Sequence, residues 1–147
     1  MNLAETPAVL ELEFVFRIIA KVDSGLPIQR RPGESLEIIP ITGGSVAGRI
    51  EAEVMPGGAD WCLYRSDSSL EVEARYWFRT SEGEIVDVVN LGRISPPDER
   101  HPDQLFMTTP QFRTVSPRLQ WLTQRVFVGR AESFDTHTTI DVFEVIA

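Results

Sequence analysis

The 147-residue sequence contains one cysteine, one lysine and two histidines. Cys62 alone permits no internal disulfide, so the chain neither requires nor suggests an oxidising compartment. Schiff-base chemistry has a single candidate, Lys21, and a solvated strand end with Asp23 two residues on explains that residue. His101 and His137 lie 36 positions apart with no cysteine cluster nearby, a spacing that does not suit a His-based zinc site. There is no D-x-D-x-D-G loop for calcium, which leaves an all-carboxylate magnesium or calcium site as the alternative to the expectation of no metal. There is no G-x-S-x-G elbow. "GGSVAG" lacks the G-x-G-x-x-G spacing and leads into a strand pattern, whereas a dinucleotide cradle needs a helix N-terminus. No cofactor is therefore expected.

Long hydrophobic runs are also lacking. "FVFRIIA" is broken by Arg17, and a membrane-spanning helix needs about 20 predominantly apolar residues. "MNLAETPAVL" has no basic stretch ahead of an apolar core, so it does not read as a signal peptide. These features predict a cytoplasmic protein with no membrane partner. Positive charge is scarce as well. The net charge is −8, which disfavours nucleic acid, where binding gains most from releasing phosphate counterions. The charge is uneven: residues 51–75 carry six acids against Arg65 and Arg75, and residues 101–130 carry four arginines against Asp103 alone. Solvated surface is one reading. An anion-tolerant face, or an intersubunit match in a homodimer or larger homo-oligomer, is the other.

What is present is period-two alternation. In "LELEFVFRIIAKV", Leu10, Leu12, Phe14, Phe16, Ile18, Ala20 and Val22 fall on one face and the charges on the other, the pattern of a half-buried strand. "DSGLPIQRRPGES" reads as a loop. "SLEIIPITGGSVAGRIEAEVM" is extended again, with glycines marking bends. Pro56, Gly57 and Gly58 form a corner before "DWCLYR", and "DSS" and "SEG" turn the chain around "LEVEARYWFRT". "EIVDVVNLGRI", "QLFMTTPQFRTV", "RVFVGRAESF" and "TTIDVFEVI" complete the extended runs. One helical turn is allowed, around Pro117–Leu122. About nine extended runs separated by turn signals predict an all-β chain, a single antiparallel β-barrel of about eight or nine strands with at most one or two short helical turns. Closure also removes exposed sheet edges. The whole chain, 1–147, reads as one domain.

"PITGG", "GRIEAEVMPGGADW", "EARYWFRTSEGEIVDVVNLG", "FMTTPQFRT", "WLTQRVFVG" and "IDVFEV", in this order, resemble the bacterial and fungal family called domain of unknown function 3237. The resemblance runs from about Leu10 to Val145 and implies a compact calycin-like, lipocalin-like barrel of the small-molecule-binding kind. It implies no settled reaction. In "LQWLTQ" the family pattern carries a tyrosine before the tryptophan and an asparagine after the leucine, where this chain has Gln120 and Thr123.

The candidates for chemistry are carboxylates, arginines and aromatics. Asp60, beside Trp61 at the restart of a strand, suits proton transfer if partly buried; the plainer alternative has it accept hydrogen bonds from its own turn. Glu53, Glu73 and Arg75 form either a lumenal network able to hold an oxyanion, or an exposed cross-strand ion pair. Asp60 and Arg75 are expected to reach one cavity, with Asp60 as acid or base and Glu53 and Glu73 holding Arg75. Trp61, Tyr76, Asn90, Phe112 and Trp121, with Trp77, are candidate ligand contacts; the plainer alternative has the aromatics as core and Asn90 as a turn residue. The expected function is a barrel binding a small organic molecule, with cofactor-free acid–base chemistry such as isomerisation, elimination or hydrolysis. A non-catalytic carrier is the alternative, and a protein-interaction module the third reading.

Overall fold

Ten strands account for most of the computed structural model, which describes residues 6–147. In chain order they are β1 (Glu11–Val22), β2 (Leu26–Arg31), β3 (Glu34–Gly48), β4 (Ala52–Val54), β5 (Gly58–Arg65), β6 (Leu70–Thr80), β7 (Ile85–Ser95), β8 (Leu105–Arg113), β9 (Phe127–Ser133) and β10 (His137–Ile146). Neighbours pair antiparallel in the order β1-β10-β9-β8-β7-β6-β4-β3, and β3 pairs back onto β1. Since β4 and β5 share one position between β3 and β6, the result is a closed eight-stranded barrel.

The corner at Pro56–Gly58 is an interruption within one wall position, because β4 and β5 run in the same direction between the same two neighbours. Val54 pairs Phe78 and Ala59 pairs Arg75, so the β4–β5 side holds two more residues than β6 and keeps its facing. Gly57 takes φ +113, where a side chain would be strained and would also press on the Trp77 ring at 2.9 Å.

Two local readings are corrected. Leu12 and Phe14 are exposed, because a bulge at Val15 shifts the β1 register between Phe14 and Phe16; from Phe16 onward the even positions face inward as expected. The segment read as a loop contains β2, which pairs with β3 across the Pro32–Gly33 turn, with Gly33 at φ +80.

Inward residues fill the lower barrel. Phe16 packs edge-to-face on Phe78 and Phe112, and Phe112 on Phe127, at centroid separations of 5.3–6.2 Å. A 3-10 turn (Pro117–Leu119) and α1 (Trp121–Gln124) plug that end with buried Leu119 and Leu122. Gln120 and Thr123, the departures from the family pattern, lie in this plug: the Gln120 amide donates to Thr114 O and Ser116 O at 2.9 Å, and Thr123 Oγ1 to Gln120 O at 2.8 Å. Three of the four arginines in residues 101–130 are ion-paired within the chain: Arg113 with Asp87, Arg118 with Glu82 and Glu84, and Arg125 with Glu144. Among the described residues no helix is long and apolar enough to cross a membrane.

Candidate functional site

The upper half of the barrel is not filled. A cavity of about 310 Å³ opens there, walled by Ile39, Ile41, Val72, Ala74 and Phe106 and reached past the loops after β1 and β9. This lies at the lower bound of ordinary ligand pockets, about 300–1,000 Å³. Strand parity explains which side chains reach it. Gly58, Asp60, Cys62 and Tyr64 are the inward set of β5, and Asp60 pairs Ile39 on β3 and Ala74 on β6. Ala74 in turn pairs Asn90, so these residues form one row across the wall. Tyr76 sits one inward step down β6 from Ala74.

Four buried side-chain atoms have no hydrogen-bond partner among the described residues: Asp60 Oδ1, Tyr76 OH, Asn90 Oδ1 and Thr108 Oγ1. All four residues line this cavity. Buried polar atoms are normally satisfied, so four orphans at one place need a cause. Burial pushes the Asp60 carboxyl up to about 6, and the charge of Glu37 adds to this, while the backbone amide of Glu73 partly offsets it. Burial, then the nearby Asp60 charge, raises the Tyr76 phenol well above its ordinary value, so it remains an O–H donor. Burial likewise pushes the Cys62 thiol up to about 11. Above Cys62, Tyr64 donates to Glu37 Oε1 at 2.5 Å.

Two glycines make room for Thr108. It is the direct partner of Gly92 on β7 and of Gly129 on β9. A Cβ on Gly129 would collide with Thr108 Oγ1, and one on Gly92 would meet Val72 at 2.5 Å and Thr108 Cγ2 at 3.2 Å. This gives the glycines of "NLG" and "VFVG" a shared physical role.

Of the residues singled out by sequence, Asp60, Tyr76 and Asn90 come together in the cavity. Arg75, Glu53 and Glu73 do not: all three are exposed on the outer wall. Arg75 pairs Ala59 and Glu73 pairs Trp61, and no ion pair joins Arg75 to either glutamate among the described residues. The reason is parity. The three-residue turn Ser66–Ser68 sets even-numbered residues of β5 opposite even-numbered residues of β6, so Asp60 and Arg75 occupy opposite faces. Trp61 is 41% exposed outside the barrel. Trp77 lies over Gly57 on the same outer side. Phe112 belongs to the core below, and Trp121 to the plug, 6.0 Å from Phe127 and with the Arg49 guanidinium 5.2 Å over its ring.

Sequence reasoning missed Thr108, the Glu37–Tyr64 pair and the rim residues Asp23, Phe134 and Asp135. A signal for Thr108 existed: it is a polar residue at the inward parity of β8, between Phe106 and Phe112. Among the described residues no group of three or more His, Cys, Asp or Glu side chains is placed to hold a metal ion.

The chain belongs to the family described as "Protein of unknown function (DUF3237)", which matches residues 10–145. A UPF0311 protein of Rhodopseudomonas palustris is 34% identical over 149 residues, covering 93% of this chain and 97% of its own. The crystal structure of that protein, described as of unknown function, superimposes with a TM-score of 0.86 over 96% of this chain and 100% of its own, at 36% identity. A "beta-barrel like protein" of Acinetobacter baumannii gives 0.84 at 25% identity, covering 96% and 99%. A Penicillium herquei protein described as an enzyme gives 0.80 at 19% identity, covering 98% and 100%, a likeness of fold alone.

Proposed function

We propose that this DUF3237 member binds a small organic molecule in the upper barrel and that Asp60 moves a proton on it without a cofactor. The observation that carries the reading is the convergence of four unpartnered buried polar atoms on one cavity. A ligand whose carbonyl oxygen accepts from both the Tyr76 and Thr108 hydroxyls, and which brings one donor to Asp60 Oδ1 and another to Asn90 Oδ1, would satisfy all four. A carboxyl with a pKa of about 6 is mostly ionised at neutral pH, yet a better base than an ordinary aspartate. The chemistry that fits is abstraction of a C–H proton next to a carbonyl. The proton goes to the Asp60 carboxylate, and the electron pair moves onto the carbonyl oxygen. The Tyr76 O–H donates to that developing oxyanion. Where a C=C bond is conjugated with the enolate, a proton delivered from Asp60 to its far carbon shifts the double bond, completes an isomerisation and restores the carboxylate; return to the original carbon after exchange with solvent leaves deuterium there. Arg75, on the outer wall, has no part in this.

The test pairs binding with turnover. Small molecules that raise the melting temperature identify ligands, since a compound binding only the native state stabilises it by mass action. Solvent deuterium exchange into such a ligand then reports proton abstraction. Asp60→Asn is expected to bind the ligand and abolish exchange. Exchange that persists in Asp60→Asn would remove the carboxyl from the mechanism. Absence of exchange in the natural protein, with tight binding, would make the barrel a carrier.

A further inference from the structure

The sign of the charges around the cavity has a consequence for what enters it. Among the described residues lining it, the ionisable carboxyls are Asp23, Asp60 and Asp135, and no arginine, lysine or histidine is present. Asp23 and Asp135 are exposed and stand at the rim, on the loop after β1 and on the β9–β10 hairpin. These loops are joined: Val22 N donates to Thr136 O at 3.1 Å. The same hairpin presents Phe134, 47% exposed at the opening and stacked on His137 at 4.8 Å. Below the rim the walls are aliphatic. At the inner end, Tyr76, Asn90 and Thr108 are each at least nine-tenths buried, with their polar atoms unpartnered.

We infer that the substrate is an uncharged, largely apolar hydroxy-carbonyl compound, and that the two rim aspartates with Asp60 exclude carboxylates and phosphates. This rests on the ligand-binding reading above. An anion would pass two carboxylates and stop beside a third, with no cation among the described lining residues to receive it, and like charges brought together in a partly dry site repel strongly. An ammonium would be attracted to the rim but offers no acceptor to the Tyr76 O–H. It would also lose its hydration among aliphatic walls, which a single carboxyl does not offset. A carbonyl oxygen matches Tyr76, a hydroxyl matches Asn90 Oδ1, and an apolar body matches Ile39, Ile41, Val72 and Phe106.

The experiment compares size-matched probes by melting temperature and calorimetry. They are 4-hydroxyacetophenone against 4-hydroxybenzoate and tyramine, and 4-hydroxycyclohexanone against 4-hydroxycyclohexanecarboxylate. The ketones are expected to bind at least about tenfold tighter than the carboxylates. The double variant Asp23→Asn/Asp135→Asn is expected to narrow that gap several-fold by improving the carboxylates, leaving the ketones unchanged. A carboxylate that binds as well as its ketone, or tyramine binding more tightly than 4-hydroxyacetophenone, would overturn the inference and leave the ligand site standing. An unchanged gap in the double variant would overturn the part assigned to the rim. Binding of none of the five would overturn the inference and withdraw support from the ligand-binding reading with it.

Discussion

Burial, and after it the charge of Asp60, raises the pKa of the Tyr76 phenol, yet Asp60 Oδ1 and the Tyr76 hydroxyl both lack a hydrogen-bond partner among the described residues. They face one cavity from neighbouring strands and act on each other through space. Such a pair is held apart by the barrel wall, leaving both groups free for a third molecule. It also carries a cost in stability, because an unpaired carboxylate in a dry place is destabilising.

That cost is measurable through pH. The folded-state pKa of Asp60, about 6, lies above its ordinary value of 3.8. The folded protein therefore holds this proton more tightly than the unfolded chain. The stabilisation is fully present below the unfolded pKa and is lost as pH rises through the folded one. The stability difference between the natural protein and Asp60→Asn should move by about 2–3 kcal/mol in favour of the variant between pH 4 and pH 7. Urea denaturation at both pH values checks this. A pH-independent difference would mean that the carboxyl titrates normally.

Thr108 and Gly129 should be coupled. An added methyl at Gly129 meets Thr108 Oγ1, and also Ile140 Cγ2 at 2.9 Å. Gly129→Ala is expected to lose about 1–3 kcal/mol of stability by overpacking. In Thr108→Ala/Gly129→Ala the colliding oxygen is gone, so the pair should be less destabilised than the sum of the singles by about 1 kcal/mol. Additive losses in a double-mutant cycle would mean that Ile140 alone sets the contact.

The strand pattern carried most of this architecture, because alternation marks which residues share a face without revealing where partners lie. The inward set of β6 (Val72, Ala74, Tyr76, Phe78) can be read directly. What alternation cannot supply is a bulge: one extra residue at Val15 turned Leu12 and Phe14 outward with no compositional warning. The same limit governed the site. Asp60 and Asn90 are polar residues at inward parity, and that property identifies them. Arg75 and Glu73 are charged residues at outward parity, beside the inward Val72 and Ala74, and placing them in the lumen gave chemical appeal more weight than the pattern. The rim was illegible for another reason. Asp23 and Asp135 stand at one rim only because β1 and β10 pair, and that pairing joins the first strand to the last.

Removing the outer charges should therefore change little. Arg75→Ala, Glu73→Ala and Glu53→Ala are exposed substitutions and are each expected to stay within about 0.5 kcal/mol of the natural stability. Ligand affinity and hydrogen exchange into a bound ketone should be unaffected. A large loss of exchange in Arg75→Ala alone would place the guanidinium's influence inside the barrel and contradict the assigned facing of β6.

Cys62 offers a reporter for the cavity that does not depend on catalysis. Its thiol lines the same space as Asp60, is 3% exposed, and is pushed up to about 11 from an ordinary value of 9.0. Because the thiolate is the nucleophile, a rise of two pKa units alone lowers its population near neutral pH roughly a hundredfold. Alkylation by iodoacetamide at pH 7.5 should thus run at least two orders of magnitude slower in the folded protein than in urea. A molecule seated in the upper barrel blocks the approach of the reagent, so 4-hydroxyacetophenone should slow labelling further, in proportion to its occupancy. Tyr76→Phe, which removes the unpartnered hydroxyl and keeps the ring, should weaken that protection while leaving the labelling rate of the free protein nearly unchanged. Mass spectrometry of the labelled chain follows both rates, and the lone cysteine makes the assignment unambiguous. Labelling that is fast in the folded protein, or equally slow with and without a compound shown by calorimetry to bind, would place the bound compound elsewhere than beside Cys62.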